Sequence, residues 1–203
     1  MRFLDLCAGT QSIKKSLPKD VEVTSVDICH KNNPTIVSDI RTWKYKRSYP
    51  KGHFDIIWAS PPCTQYSVAK TVGSRNFQEA DSIVQRCLEI IQYFRPRMWF
   101  MENPGGGARL QTRPFMRAWN QYKNTCCYCR YGYKYRKITN IWTNRVGLGL
   151  KSCNATTPCR TFAKHKRHLC TAQGGSNTNR GIRGTNVASA YSVPPKLIRQ
   201  LIY

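Results

Sequence analysis

Cys63 and Glu102 are the two side chains whose types and settings suit a common chemistry. Cys63 follows an apolar stretch, Phe54-Asp55-Ile56-Ile57-Trp58, that reads as a buried strand. Pro61 and Pro62 then fix φ and remove two backbone donors, so the chain leaves that strand in a set direction. The thiol is thereby presented at the carboxyl end of a strand, where open α/β sheets place their ligands. Glu102 ends a second apolar strand, Met98-Trp99-Phe100-Met101, and Asn103-Pro104 follows it. A thiol and a carboxyl at two strand ends suit nucleophilic addition to a ring while an acid neutralises the developing charge. One cysteine among ten is more often a small buried apolar residue, and a single glutamate more often an ion-paired one. The flanking Pro-Pro and Asn-Pro pairs set these two apart.

A second constellation lies at the start of the chain. Residues 4–12 read as a strand, a small-residue turn containing Gly9, and the start of a helix. Gly9 permits close backbone approach, and the helix start would offer amide donors to an anionic group. Asp27 closes a second apolar strand one βα unit later, placed to bind both hydroxyls of a ribose, with Ile28 beside it to pack on an adenine face. Asp39, after a short third strand, is placed to accept from an adenine amino group. Together these describe a nucleoside-binding edge. The absence of a Gly-x-x-x-x-Gly-Lys loop argues against a nucleoside triphosphate.

The elements that must position these groups alternate. Strands are expected at Arg2–Leu6, Val21–Ile28, Thr35–Val37, Phe54–Ala59 and Arg97–Glu102, and Ser82–Phe94 has helical spacing of its apolar residues. Alternation of this kind predicts a parallel sheet with helices on both faces. Thr125–Arg130 and Ile138–Trp142 add two strands, expected to be antiparallel. Residues 1–143 form the expected catalytic domain. Residues 144–187 are polar, basic and weakly periodic, and read as a target-recognition-like loop or a small metal-stapled lobe. Residues 188–203 return as a short amphipathic helix with proline in its first turn.

Charge points to the partner. All ten acidic residues lie at or before Glu102, so residues 1–102 carry 15 basic and 10 acidic residues. Residues 103–203 carry 18 basic and none acidic, for a net +18 out of the chain's +23. Such asymmetry reads as a polyanion-binding face, with nucleic acid the favoured partner. No targeting signal or apolar run of membrane-spanning length is visible, so an intracellular setting (cytoplasmic or nuclear) is expected, with thiols or metal rather than disulfides. Cys153, Cys159, His165, His168 and Cys170 lie close together in the basic segment and form a candidate structural zinc set, although their spacing is not that of a standard finger. Cys126, Cys127 and Cys129 are expected to alternate faces of a strand. Arg145, Lys151, Arg160, Lys164, Lys166, Arg167, Arg180 and Arg183 are expected to contact mainly phosphates, which position without specifying sequence.

In this order the motifs resemble the cytosine-5 DNA methyltransferase family, most closely its small phage and large-DNA-virus members. Asp5-Leu6-Cys7-Ala8-Gly9-Thr10 resembles the family's first motif, with Cys7 where an aromatic is usual and Gln11 where a glycine is usual. Val26-Asp27-Ile28 and Asp39-Ile40 resemble its next two cofactor motifs. Ser60-Pro61-Pro62-Cys63 resembles the Pro-Cys motif, with Thr64 in place of Gln, and Glu102-Asn103-Pro104 resembles Glu-Asn-Val. Tyr135, Lys137 and Thr139 stand at the Gln-x-Arg-x-Arg positions, and Tyr191-Ser192-Val193-Pro194-Pro195 resembles the motif that folds back onto the cofactor.

The resemblance implies a class I, Rossmann-like methyltransferase fold with a mixed sheet and a small basic Cys/His-rich insertion. It implies S-adenosylmethionine as cofactor, held by Asp5, Leu6, Cys7, Ala8, Gly9, Thr10, Asp27, Ile28, Asp39, Ile40, Pro61 and Ser192. It further implies a flipped cytosine attacked at carbon 6 by Cys63, with Glu102 protonating N3, and with Lys137 and Arg136 beside the thiolate. Duplex DNA is the expected substrate, and an RNA target stays open because the thiol chemistry suits either polymer. Two other readings share the fold. One is a nucleic-acid-binding protein that has lost catalysis, which intact Cys63 and Glu102 oppose. The other is an amino-methyltransferase, which Cys63 opposes by standing where those enzymes prefer an aromatic.

Overall fold

The computed structural model describes residues 1–107, 109–172, 184–185 and 190–203. Seven strands, β1 (Arg2–Leu6), β2 (Glu22–Asp27), β3 (Ile36–Val37), β4 (Ile56–Ala59), β5 (Met98–Pro104), β6 (Lys123–Cys127) and β7 (Ile138–Thr143), form one sheet. Their order is β3-β2-β1-β4-β5-β7-β6. The first five pair in parallel, and β7 runs antiparallel to both β5 and β6. This is the Rossmann-like class I methyltransferase arrangement, with β7 inserted beside β5.

Strand periodicity divides the core between the two faces. Leu4, Leu6, Ile57, Ala59, Trp99 and Met101 pack on one face, and Phe3, Ile56, Trp58 and Phe100 on the other. Four helices have both ends among the described residues: α1 (Tyr45–Ser48), α2 (Phe77–Phe94), α3 (Arg160–His165) and α4 (Pro195–Ile202). The first face is covered by α2 through Val84, Cys87, Leu88 and Ile91. Asn76 caps α2 by accepting from the Glu79 amide, and Glu79 accepts in return from the Asn76 side chain. Arg95, left-handed at φ 49°, ends it. The second face is covered by α4, whose Leu197, Ile198, Leu201 and Ile202 bury against Phe3, Ile56, Trp58 and Phe100. Each such burial stabilises by about 1.5–3 kcal/mol, enough to dock a two-turn helix that could not stand alone.

Two expectations are corrected. No α-helix follows β1; residues 7–17 make turns and a 3₁₀ segment, Lys14–Ser16. Cys7, Gly9 and Gln11 take φ of 56°, 46° and 59°, and these left-handed positions prevent a helical start. The amide-rich helix terminus expected there is therefore not formed. The sixth strand also stops early, at Cys127, because Tyr128–Tyr131 turn as a 3₁₀ segment closed by left-handed Gly132. Cys126 and Cys127 do face opposite sides, whereas Cys129 has left the strand. Among the described residues no helix is long and apolar enough to cross a membrane.

Candidate active site

Cys63 is placed by β4 and by the turn after it. The Ser60 amide still donates to the Leu6 carbonyl at 3.0 Å, carrying the ladder one step past β4 before Pro61 and Pro62 end it. The amides of Tyr66 and Ser67 donate back to the Cys63 carbonyl at 3.0 and 2.8 Å, which closes a turn directly after the thiol. Tyr66 is fully buried and its hydroxyl donates to Asp81 on α2 at 2.7 Å. Arg113 grips the same carboxylate with two nitrogens, at 2.7 and 2.9 Å to one oxygen. Arg75 clasps the carbonyls of Gln65, Ser67 and Lys70. The loop carrying Cys63 is thus fixed on both sides.

Glu102 comes to the same edge through register. Ala59 of β4 pairs with Met101 of β5, so Glu102 lies one step beyond the last paired position. Asn103 then donates through Nδ2 to the Pro61 carbonyl at 3.0 Å, a buried bond joining the Glu-Asn strand end to the Pro-Pro-Cys turn. Glu102 is 7% exposed, and the buried Tyr128 hydroxyl donates to its Oε2 at 3.3 Å. The Lys137 ammonium lies 4.9 Å from the Tyr128 ring centre and donates to the Ala190 carbonyl at 3.1 Å. Burial pushes the half-buried Cys63 thiol up; Lys137 opposes that shift and Glu102 adds to it.

A cleft of about 800 Å³ opens over the thiol, within the range of ligand-binding cavities. Its walls include Cys63, Pro104, Gly105, Arg136, Lys137 and Tyr191. Gly105 is required there, because a Cβ would stand 2.6 Å from the Asn140 Oδ1. Glu102 is recessed and does not form part of the cleft wall.

Most of the expected cofactor residues gather at the carboxyl ends of β1, β2 and β3, while Pro61 follows β4 and Ser192 comes from the C-terminal segment. Asp27 accepts from the amides of Gly9 and Cys29 at 2.8 Å each, which holds its carboxylate at the strand edge. Ile28 beside it is 67% exposed, a large apolar side chain left open to a ligand. Asp5 is buried, and neither carboxylate oxygen has a hydrogen-bond partner; burial, then the charge of Asp27, push its carboxyl well above the usual range. Thr10 and Ser192 share a hydrogen bond of 3.1 Å, and the Val193 amide donates to Ser12, so the C-terminal segment returns to the first turn. Gln11 is buried in the left-handed conformation that favours glycine, with its side chain donating to Ser25. Leu6, Ala8 and Ile40 are core residues whose side chains face inward, and Cys7 packs against the same core; the Leu6 carbonyl accepts from Ser60, and the Ala8 amide and carbonyl bond to Val26 and Gln11. The Asp39 carboxylate is occupied by Arg41, whose guanidinium donates at 2.6–3.0 Å and holds that carboxyl below the usual range.

Lys164, Lys166 and Arg167 stand exposed on and after α3, and Arg136 is exposed at the cleft. Arg180 and Arg183 lie outside the described residues. The expected metal set is regrouped. Cys153, Cys159 and His168 converge with Cys129, their ligand atoms all within 4.8 Å of one another. Cys170 instead forms a β-bridge with Tyr135, and His165 is exposed at the last position of α3. Sequence reasoning missed Cys129 and Tyr128 because the early end of β6 turns both away from strand geometry. It also missed the Tyr66–Asp81–Arg113 network, for which no local pattern gives a signal.

Residues 1–143 match the family described as C-5 cytosine-specific DNA methylase. The chain belongs to that family. A protein of frog virus 3 (isolate Goorha), named "Probable DNA (cytosine-5)-methyltransferase", is 29% identical over 220 aligned positions, covering 100% of this chain and 99% of its own. A solved E. coli chain, described as a "putative DNA modification methyltransferase encoded within prophage", is 12% identical with a TM-score of 0.49. The match covers 70% of this chain, and this chain spans only 46% of that one. As a C-5 cytosine methylase, the chain is a methyltransferase acting on DNA cytosine.

Proposed function

We propose that this methylase transfers a methyl group from S-adenosylmethionine to carbon 5 of a cytosine turned out of duplex DNA, with Cys63 as nucleophile and Glu102 as acid. The observation that carries the reading is the pairing of these residues at adjacent strand ends, locked by the Asn103–Pro61 bond beside a cleft that Cys63 lines. When bound, the cofactor supplies an electrophilic methyl on a sulfonium. The residues present fit it: the ordered Asp27 carboxylate for ribose hydroxyls, exposed Ile28 for the adenine, and the orphaned Asp5 carboxyl for a donor. With Asp39 held by Arg41, the adenine edge is assigned to the backbone at Ile40 as much as to the Asp39 side chain.

Carbon 5 of cytosine is a poor nucleophile while the ring stays aromatic. The Cys63 thiolate adds to carbon 6, and Glu102 gives a proton to N3, so carbon 5 gains enamine character. Tyr128 occupies Oε2 of Glu102 and leaves Oε1 for the base. Methyl transfer to carbon 5 breaks the methyl–sulfonium bond; solvent then takes the carbon-5 proton, the carbon–sulfur bond breaks to release the Cys63 thiolate, and N3 returns its proton to Glu102. Lys137 lowers the thiol's proton affinity against the effect of burial. Residues 144–187 serve as the target-facing segment, and Lys164, Lys166 and Arg167, exposed within it, hold DNA mainly through phosphates.

Incubation with labelled S-adenosylmethionine and duplex DNA, with mapping of the modified base, tests this. Label at carbon 5 of cytosine is expected. Label on an exocyclic amino group, or binding with no label, would overturn it.

A further inference from the structure

We propose that Cys129, Cys153, Cys159 and His168 bind one zinc ion, a structural site that fastens the basic segment to the end of the catalytic sheet. The donor set is closed, three thiols and one imidazole, which is the composition of a structural zinc centre rather than a catalytic one. The spacing also fits. The His168 Nε2 lies 3.6 Å from the Cys153 Sγ and 3.3 Å from the Cys159 Sγ. A tetrahedron with zinc–sulfur bonds of about 2.3 Å and zinc–nitrogen bonds of about 2.0–2.1 Å has sulfur–nitrogen edges of about 3.6 Å. Three converging thiols are also an odd number, which disulfide pairing would leave unmatched.

The surroundings are built for thiolates. Cys153 and Cys159 are 2% and 4% exposed, yet backbone amides point at both sulfurs: Cys159 N–H donates to Cys153 Sγ at 3.3 Å, and Phe162 N–H to Cys159 Sγ at 3.5 Å. Such outer donors orient and stabilise metal-bound sulfur. The Phe162 ring packs on His168 with centroids 5.4 Å apart, and left-handed Lys166 ends α3 so that the chain can turn His168 back. Three thiolates around a dication carry a net negative charge, and no acidic residue follows Glu102 in the sequence to oppose it. The apolar cluster here consists largely of these cysteines with Cys127, Ile138 and Phe162, too little to order the segment without a staple.

The position gives the ion a consequence for the active site. Cys129 is the neighbour of Tyr128, whose hydroxyl holds Glu102, while Cys153 and Cys159 belong to the segment that ends in the exposed Lys164, Lys166 and Arg167. One ion therefore couples the acid's support to the cationic surface.

Metal analysis of the purified full chain, prepared without added metal, tests the site. About one zinc per chain is expected. Cys129→Ser and His168→Ala should fall to background, while Cys170→Ser and His165→Ala keep full occupancy. Because the ligand variants are at risk of misfolding, wild-type protein stripped of metal is also titrated with cobalt(II). The intense visible bands of a tetrahedral ion, with thiolate-to-cobalt charge transfer bleached by zinc, are expected. Stripping should expose residues 150–170 to limited proteolysis, and zinc should restore protection. Full occupancy in Cys129→Ser, loss in Cys170→Ser, a wild-type chain with neither zinc nor the cobalt spectrum, or proteolysis indifferent to metal would each overturn the proposal.

Discussion

Asn103 is the joint between the two halves of the active site, and replacing it separates positioning from chemistry. Its Nδ2 donates to the buried Pro61 carbonyl at 3.0 Å, whereas its own Oδ1 has no partner. Asn103→Ala leaves the Pro61 carbonyl unsatisfied, a loss of about 1–3 kcal/mol, but also removes the orphaned Oδ1. The two partly offset, so a net destabilisation of about 1–2 kcal/mol is expected, a factor of about 5–30 in the unfolded fraction. Asn103→Asp keeps the shape but turns an acceptor toward the carbonyl in a buried setting, and should cost about 3 kcal/mol or more. The order wild type, Ala, Asp is the signature. Urea unfolding with an unchanged slope gives the stabilities, and single-turnover methylation gives the effect on Cys63. In Asn103→Ala the single-turnover rate should fall, because the Pro-Pro-Cys turn that presents Cys63 is released. If Asp is tolerated as well as Ala, or if both match wild type, the bond does not hold the turn and the reasoning fails.

Other perturbations reach the remaining parts. Since burial raises the Cys63 thiol and the thiolate is the reacting form, the single-turnover rate should climb as pH rises toward the thiol's pKa; Lys137→Met should move that limb to higher pH, and an unmoved limb would remove Lys137 from the site. Asp27→Ala should weaken S-adenosylmethionine binding by about 1.5–3 kcal/mol while sparing DNA binding, and calorimetry showing unaltered affinity would refute the ribose contact. With about 5–8 phosphate contacts, log affinity against log salt should have a slope of about −5 to −7 on duplex DNA, and combined Lys164→Ala, Lys166→Ala and Arg167→Ala should flatten it by up to ~3. A triple variant indistinguishable from wild type would mark that surface as merely solvated.

The strands that lead to Cys63 and Glu102 were legible because each is a short apolar run followed by a chemically distinct residue, and the strand ending at Asp27 because its valines alternate or neighbour small polar residues. The amphipathic α2 and α4 were legible for the same reason, since helical spacing fixes which face is buried. The missing helix after β1 was not, because Cys7 and Gln11 adopt left-handed backbone that their residue types do not announce. Gln11 does so where glycine is usual, held by its bond to Ser25. The metal-ligand grouping failed at Cys129 for a topological reason: it lies 24 residues before Cys153, and only the early end of β6 brings it across. The Asn103–Pro61 bond and the Tyr66–Asp81–Arg113 network join residues 42 and 32 positions apart, and spacing carries no record of them.

The most direct test of Cys63 as nucleophile is covalent trapping. Duplex DNA carrying 5-fluorocytosine is incubated with the full chain and S-adenosylmethionine, then denatured and mapped by mass spectrometry. Fluorine at carbon 5 cannot leave as a cation, so the carbon–sulfur bond should persist as a denaturant-stable adduct on the peptide containing Cys63. Cys63→Ser should give none while still binding DNA and cofactor. A preparation that methylates cytosine yet forms no adduct, or forms one on another residue, would contradict the assignment of Cys63.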